Sequence, residues 1–238
     1  MLLLVHLNKR CTFFFIKLFI RVKKLKISAS ILGCDFSKMG QEVKKVEDAK
    51  VDIIHLDVMD GHFVPNISFG PTVIKSLRGY TNLPFEVHLM ISDPRKYLKN
   101  FVNAGADTIV FHVEIEDDIL EIIREIKNYG KKVGLAVNPE TDIEKIFPYV
   151  EYLDLVIIMT VHPGFGGQSF MKDQIYKVSK LKNKMMEINK KGLEVEFDGG
   201  VNLDTIKFAK EVDVDICVSG SFLFNSKNTS QTVKLLKS

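Results

Sequence analysis

The feature that most constrains this chain is an alternation, repeated eight times from Lys26 onward, of short β-branched apolar runs with longer amphipathic stretches. The apolar runs fall near 27–32, 52–58, 85–91, 107–112, 132–137, 153–160, 193–197 and 215–219. Three-to-four spacing of apolar residues predicts helices near 36–49, 71–79, 93–103, 117–129, 141–149, 168–190, 201–210 and 227–237. Parallel strands joined by helices either stay open as a doubly wound sheet or close into a barrel. Eight strands favour closure, and 238 residues suffice for one such unit. The turn after the first strand, Leu32-Gly33-Cys34-Asp35, is not the GxGxxG of an open nucleotide-binding sheet. The expected fold class is α/β, a single (β/α)8 TIM barrel over residues 26–238.

Residues 1–25 stand apart from that pattern. MLLLV and CTFFFIKLFI are apolar but are broken by Lys9, Arg10 and Lys17, so neither piece reaches the roughly 20 apolar residues of a membrane span. Of the 33 Lys and Arg, seven fall within residues 1–26, which leaves 26 basic against 30 acidic side chains in the rest. The net charge of +3 thus belongs to an extension, and no nucleic-acid-binding surface is expected. Cys11, Cys34 and Cys217 make no CxxC spacing and cannot all pair, which fits a reducing compartment. Cytoplasmic localisation is expected, with organelle targeting by the extension as the alternative. Cys217, within DICVSG, reads as a packed small hydrophobe.

Alternate residues of a strand face the same side, so IIHLDVMDG groups His55, Asp57 and Met59, and FEVHLMI groups Glu86, His88 and Met90. Imidazoles and carboxylates converging from two strand ends form a ligand set suited to Zn²⁺, Fe²⁺, Mn²⁺ or Co²⁺. Asp198 ends the seventh strand in EVEFDGG. A lone strand histidine is usually a hydrogen-bonded interior residue. Four such groups at strand carboxyl ends, where barrel enzymes hold their chemistry, point instead to a site. His112 and Glu114, in FHVEI, share a face and are read as packing or as support behind the ligands. Glycine-bearing turns follow strands six, seven and eight: residues 162–168, 198–201 and 219–221. Their backbone N–H groups can approach a phosphate closely, at the place where barrels commonly bind one.

Taken together, SILGCDFSKMG (30–40), HLDVMDGHFVPNISFGP (55–71), EVHLMI (86–91), MTVHPGFGGQSF (159–170) and DGGV (198–201) resemble the ribulose-phosphate 3-epimerase family over roughly residues 27–225. That resemblance implies the ribulose-phosphate-binding type of barrel and interconversion of D-ribulose 5-phosphate and D-xylulose 5-phosphate in the pentose phosphate pathway. It implies one divalent transition metal per chain on His55, Asp57, His88 and Asp198, with Asp57 and Asp198 also as acid/base residues. It implies substrate contacts at Ser30 and His88, and phosphate contacts at Gly164, Phe165, Gly166, Gly167, Gly199, Gly200, Gly220 and Ser221. Met59, Met90 and Met159 would shield the intermediate. The chain departs from the family pattern at Ala29, where proline is usual, and in VSGSFLF, where a smaller residue commonly follows Gly-Ser.

Inverting a carbon beside a ketone requires proton removal on one face and return on the other, through an enediolate, which explains two carboxylates on different strands. A cation on the ketone and hydroxyl oxygens would stabilise that charge. The alternatives are an epimerase of a six-carbon ketose phosphate such as allulose 6-phosphate, and a non-catalytic phosphate-binding barrel. A ribulose-phosphate-like decarboxylase is disfavoured because HLDVMDG carries no Lys. The expected partners are a small sugar phosphate and further copies of the same chain, with no stable membrane span.

Overall fold

The eight apolar runs form eight parallel strands in the computed structural model, which describes residues 24–238. They are β1 (Lys26–Ser30), β2 (Ile53–Met59), β3 (Phe85–Met90), β4 (Thr108–His112), β5 (Lys132–Val137), β6 (Leu155–Met159), β7 (Glu194–Asp198) and β8 (Ile216–Ser219). Each pairs with the next in chain order, and β8 pairs with β1 to close the barrel. The expected (β/α)8 architecture is therefore the observed one. Nearly all of the N-terminal extension, including Cys11 and the Lys9-Arg10 pair, lies outside the described residues.

An aspartate just before every even-numbered strand sets the register at the amino end of the barrel. The backbone N–H groups of Ile27, Phe85, Val133 and Val195 donate to the side chains of Asp52, Asp107, Asp154 and Asp215 at 2.8–3.0 Å. The backbone N–H of each aspartate in turn donates to the carbonyl of the same residue at 2.9 Å. This two-way clamp fixes which residue of one strand faces which residue of the next. A one-residue slip would turn every inward side chain outward.

The helices are α1 (Met39–Asp48), α2 (Pro71–Leu77), α3 (Leu98–Asn103), α4 (Ile119–Asn128), α5 (Tyr176–Glu187), α6 (Ile206–Glu211), α7 (Ser221–Phe224) and α8 (Thr229–Lys237). Asp118 caps α4 by accepting from the N–H groups of Leu120 and Glu121, and Asn228 caps α8 through the Gln231 N–H. Three predicted helices differ in physically transparent ways. The stretch predicted at 141–149 forms a 3₁₀ helix over Ile143–Tyr152, and Pro148 within it has no N–H to donate to an α-helical ladder. Helix α5 starts well after residue 168, because the Gln168 amide donates to the carbonyls of His162 and Phe165 and the Met171 N–H donates to Thr160, closing a loop. Helix α6 starts late because the Asn202 side chain accepts from Asp204 and Thr205 in a local turn. The short α7 after β8 was not expected.

Three apolar clusters hold the described residues together, the smallest being Met59, Val64 and Met90 at the barrel mouth. The largest lies between strands and helices, and includes Cys217, packed as expected. The second fills the barrel bore with Ile53, Val110, Ala136, Leu155, Ile157 and Ile216, leaving its carboxyl end for polar side chains. Asp154→Ala should remove one charge-assisted clamp and lower stability by about 1.5–3 kcal/mol. A thermal melt should drop by several degrees, with the circular dichroism of the folded state unchanged.

Candidate active site

Strand parity builds the floor of the barrel mouth. In-register pairing of β2 with β3 sets Asp57 beside His88 and His55 beside Glu86, all facing inward. Asp198 ends β7 beside Met159 of β6. Four acceptor atoms meet there. His55 Nε2 lies 3.1 Å from Asp57 Oδ1, 3.3 Å from His88 Nδ1 and 3.6 Å from Asp198 Oδ2. His88 Nδ1 lies 3.3 Å from Asp57 Oδ1 and 3.4 Å from Asp198 Oδ2.

These spacings match the edges, about 3.4 Å, of a tetrahedron whose corners sit roughly 2.1 Å from a central zinc-like ion. Two imidazole nitrogens and two carboxylate oxygens are also the donor types that divalent transition metals take. The site thus fits a cation in spacing and in chemistry. His55 Nδ1 lies 2.8 Å from Glu86 Oε1, and a carboxylate only accepts, so this nitrogen carries the proton and Nε2 presents its lone pair to the cage. Glu196 Oε1 stands 3.7 Å from the same Nδ1.

The electrostatics report the same demand for positive charge. Burial opposes charge on His55, but the Asp57 and Asp198 carboxylates outweigh it and hold the pKa well above the ordinary imidazole value. His88 is raised in the same way, burial being overcome by hydrogen bonds to Asp198 and Asp57. Asp57 is lowered because His55 and His88 prevail over its burial. Glu196 moves the other way: burial and the neighbouring Glu86 push it well above the usual carboxylate range. Behind His88, His112 Nε2 lies 2.9 Å from His88 Nε2, and His112 Nδ1 lies 3.2 Å from Glu114 Oε2. Burial lowers the pKa of His112.

Above the floor opens a cavity of about 480 Å³, within the range of small-ligand sites. Ser30, Asp57, Asp198, Met59, Met90 and Met159 line it together with Gly164, Phe165, Gly166, Gly167, Gly199, Gly200, Gly220 and Ser221. His55 and His88 are fully buried below. Every residue singled out in the sequence therefore belongs to one locality. The sequence reading grouped Glu86 with His88 but gave it no partner, and it passed over Glu196, although two-residue spacing puts Glu196 on the face of Asp198. Phe222 and Asn225 of the last turn also line the cavity, and no sequence signal marked them.

Among the described residues, no helix is long and apolar enough to cross a membrane. The barrel, with acidic and imidazole groups at the carboxyl ends of its strands below a glycine-rimmed cavity, defines a TIM-barrel enzyme. Residues 26–224 match the Ribulose-phosphate 3 epimerase family. A protein named ribulose-phosphate 3-epimerase from Bacillus subtilis is 40% identical over 213 residues, covering 90% of this chain and 98% of that protein. The chloroplastic ribulose-5-phosphate-3-epimerase of Arabidopsis thaliana is 42% identical over 215 residues, covering 89% of this chain and 75% of that one. Among solved structures, KGPDC from Streptococcus mutans superposes with a TM-score of 0.68 at 15% identity, over 90% of this chain and 96% of that one, a likeness of fold. The chain belongs to the ribulose-phosphate 3-epimerase family and is an isomerase.

Gly200 sits at φ +69°, and a Cβ there would meet the Phe170 backbone nitrogen at 2.5 Å. Gly130 has nearly the same φ, +70°, with nothing within 4 Å of an added Cβ. Gly200→Ala is expected to lose stability on the order of 1–3 kcal/mol more than Gly130→Ala, because only the former adds a backbone collision to the left-handed strain. Comparing the two denaturation midpoints checks this.

Proposed function

We propose that this chain interconverts D-ribulose 5-phosphate and D-xylulose 5-phosphate, with Asp57 and Asp198 removing and returning a proton on opposite faces of C3 and one divalent transition metal held by His55, Asp57, His88 and Asp198. The observation that carries this is the meeting of two aspartates from separate strands at one four-atom cage, on the floor of the cavity. When bound, the cation would act as a Lewis acid toward the substrate's ketone and hydroxyl oxygens, stabilising the enediolate charge. The family membership of the chain supports the same reading.

The residues divide the remaining work. Asp57 and Asp198 reach the cavity from β2 and β7, with β1 and β8 between them, so the two carboxylates approach a bound ketose from different directions. One carboxylate removes the C3 proton and the other returns a proton to the opposite face; the reverse reaction exchanges the roles. Each aspartate can give one oxygen to the cage and keep the other for the proton. Ser30 Oγ donates to Asp57 Oδ2 at 2.6 Å, which fixes that second oxygen. Thr160 holds the end of β7, its N–H and hydroxyl both donating to the Asp198 carbonyl. Met59, Met90 and Met159, nearly sealed from solvent, give the intermediate an apolar cover that donates no proton. The glycine turns at 164–167, 199–200 and 220–221 supply backbone N–H groups for the phosphate.

Chelation should abolish epimerisation in an assay coupled to xylulose 5-phosphate consumption, and Zn²⁺, Fe²⁺, Mn²⁺ or Co²⁺ at about one ion per chain should restore it. Full activity in rigorously metal-free protein would overturn the metal assignment. Running the same assay with allulose 6-phosphate separates the five-carbon from the six-carbon substrate.

Asp198→Asn and Asp57→Asn should each slow full epimerisation by at least roughly 10²–10⁴-fold. Where metal content is retained, each variant should still exchange the C3 proton of one epimer with solvent deuterium, and the two variants should exchange opposite epimers. Near-normal interconversion in both metal-loaded variants would rule out the two-aspartate mechanism.

A further inference from the structure

We infer that His112 and Glu114 are positioning residues, which fix the tautomer of His88 through a relay of two imidazoles so that its Nδ1 lone pair points into the cage. This inference rests on the metal reading above.

The direction of every proton in the relay follows from its outer end. The Asn138 backbone N–H donates to Glu114 Oε1 at 2.8 Å, leaving Oε2 to face His112 Nδ1 at 3.2 Å. An ionised carboxylate only accepts, so His112 Nδ1 bears a proton. Neutral His112 then has a bare Nε2, 2.9 Å from His88 Nε2, and one proton must lie between the two nitrogens. It belongs to His88. The rings stand 15° from parallel with centroids 5.0 Å apart, as two imidazoles do when they meet nitrogen to nitrogen. With Nε2 protonated, His88 has its lone pair on Nδ1, the atom 3.3–3.4 Å from Asp57 Oδ1 and Asp198 Oδ2.

The outer end is itself anchored. Fully buried Lys177 of α5 donates to the carbonyls of Asn138 and Pro139 at 2.8 and 2.9 Å, which holds the segment whose N–H grips Glu114. His55 needs no relay, because Glu86 reaches its Nδ1 directly. The two histidines thus face the cage through different nitrogens, Nε2 and Nδ1, and each is oriented by its own carboxylate. A doubly protonated His112 would do the opposite: it would press an N–H on His88 Nε2 and drive the His88 proton onto Nδ1, into the cage.

Long-range ¹H–¹⁵N correlation spectra of histidine-labelled protein, with and without zinc, read these tautomers directly. The expected pattern in both states is His112 protonated at Nδ1 and bare at Nε2, with His88 protonated at Nε2. A proton on His112 Nε2 overturns the relay. In Glu114→Gln one of the two accepting oxygens becomes an NH₂ donor, so the Asn138 N–H and His112 Nδ1–H no longer each face an acceptor of their own; His112→Phe keeps an aromatic ring but removes both nitrogens. Each variant should bind Zn²⁺ about 10–100-fold more weakly in competition with a chromophoric chelator, while the metal-free proteins melt near the wild-type temperature. Unchanged affinity in both variants overturns the positioning role alone. Failure of the wild-type chain to take up Zn²⁺ overturns the metal reading and this inference with it.

Discussion

His55 Nε2, Asp57 Oδ1, His88 Nδ1 and Asp198 Oδ2 crowd within 4.8 Å of one another at the carboxyl end of the barrel, each imidazole turning one ring nitrogen into the gap. Four lone pairs so arranged repel unless positive charge stands among them. The raised pKa values of His55 and His88 are one expression of that demand, since a proton is the smallest cation that answers it. A divalent ion would answer it better, because these four residues could all hold it at once.

Holding such a cluster in an apolar barrel requires support from below and behind. Buried polar groups are tolerated when hydrogen-bonded, and the cage residues are paired outward as well as inward. Glu86 accepts from His55 Nδ1, His112 meets His88, and Ser30 donates to Asp57. Burial and the neighbouring Glu86 oppose a negative charge on Glu196 in the layer beneath. Further down, the bore turns apolar with Ile53, Val110, Leu155, Ile157 and Ile216.

The mouth separates rigid from adaptable parts. The four cage atoms come from strands tied at their amino ends by the aspartate clamps, and small displacements would spoil their spacing. The rim of the cavity comes from glycine turns on loops. Asn66, on the loop after β2, ties that loop to one of these turns, its amide donating to the Gly164 carbonyl at 2.6 Å.

The sequence by itself determined the barrel and the inward face of each strand, because eight short apolar runs and a two-residue parity leave few other ways to bury the chain. It grouped His55 with Asp57 and Glu86 with His88, and it marked Asp198 and the three glycine turns by their places at strand ends. Helix starts near 176 and 206 were hidden, since the side chains of Gln168 and Asn202 capture backbone groups that a helix would otherwise use. Only the tertiary structure decided which nitrogen of each histidine faces the cage. That choice depends on partners distant in sequence: Glu86 stands 31 residues from His55, and His112 stands 24 from His88. Parity says which side chains share a face; the barrel's closure and register decide which atoms meet, because they alone fix distances across strands.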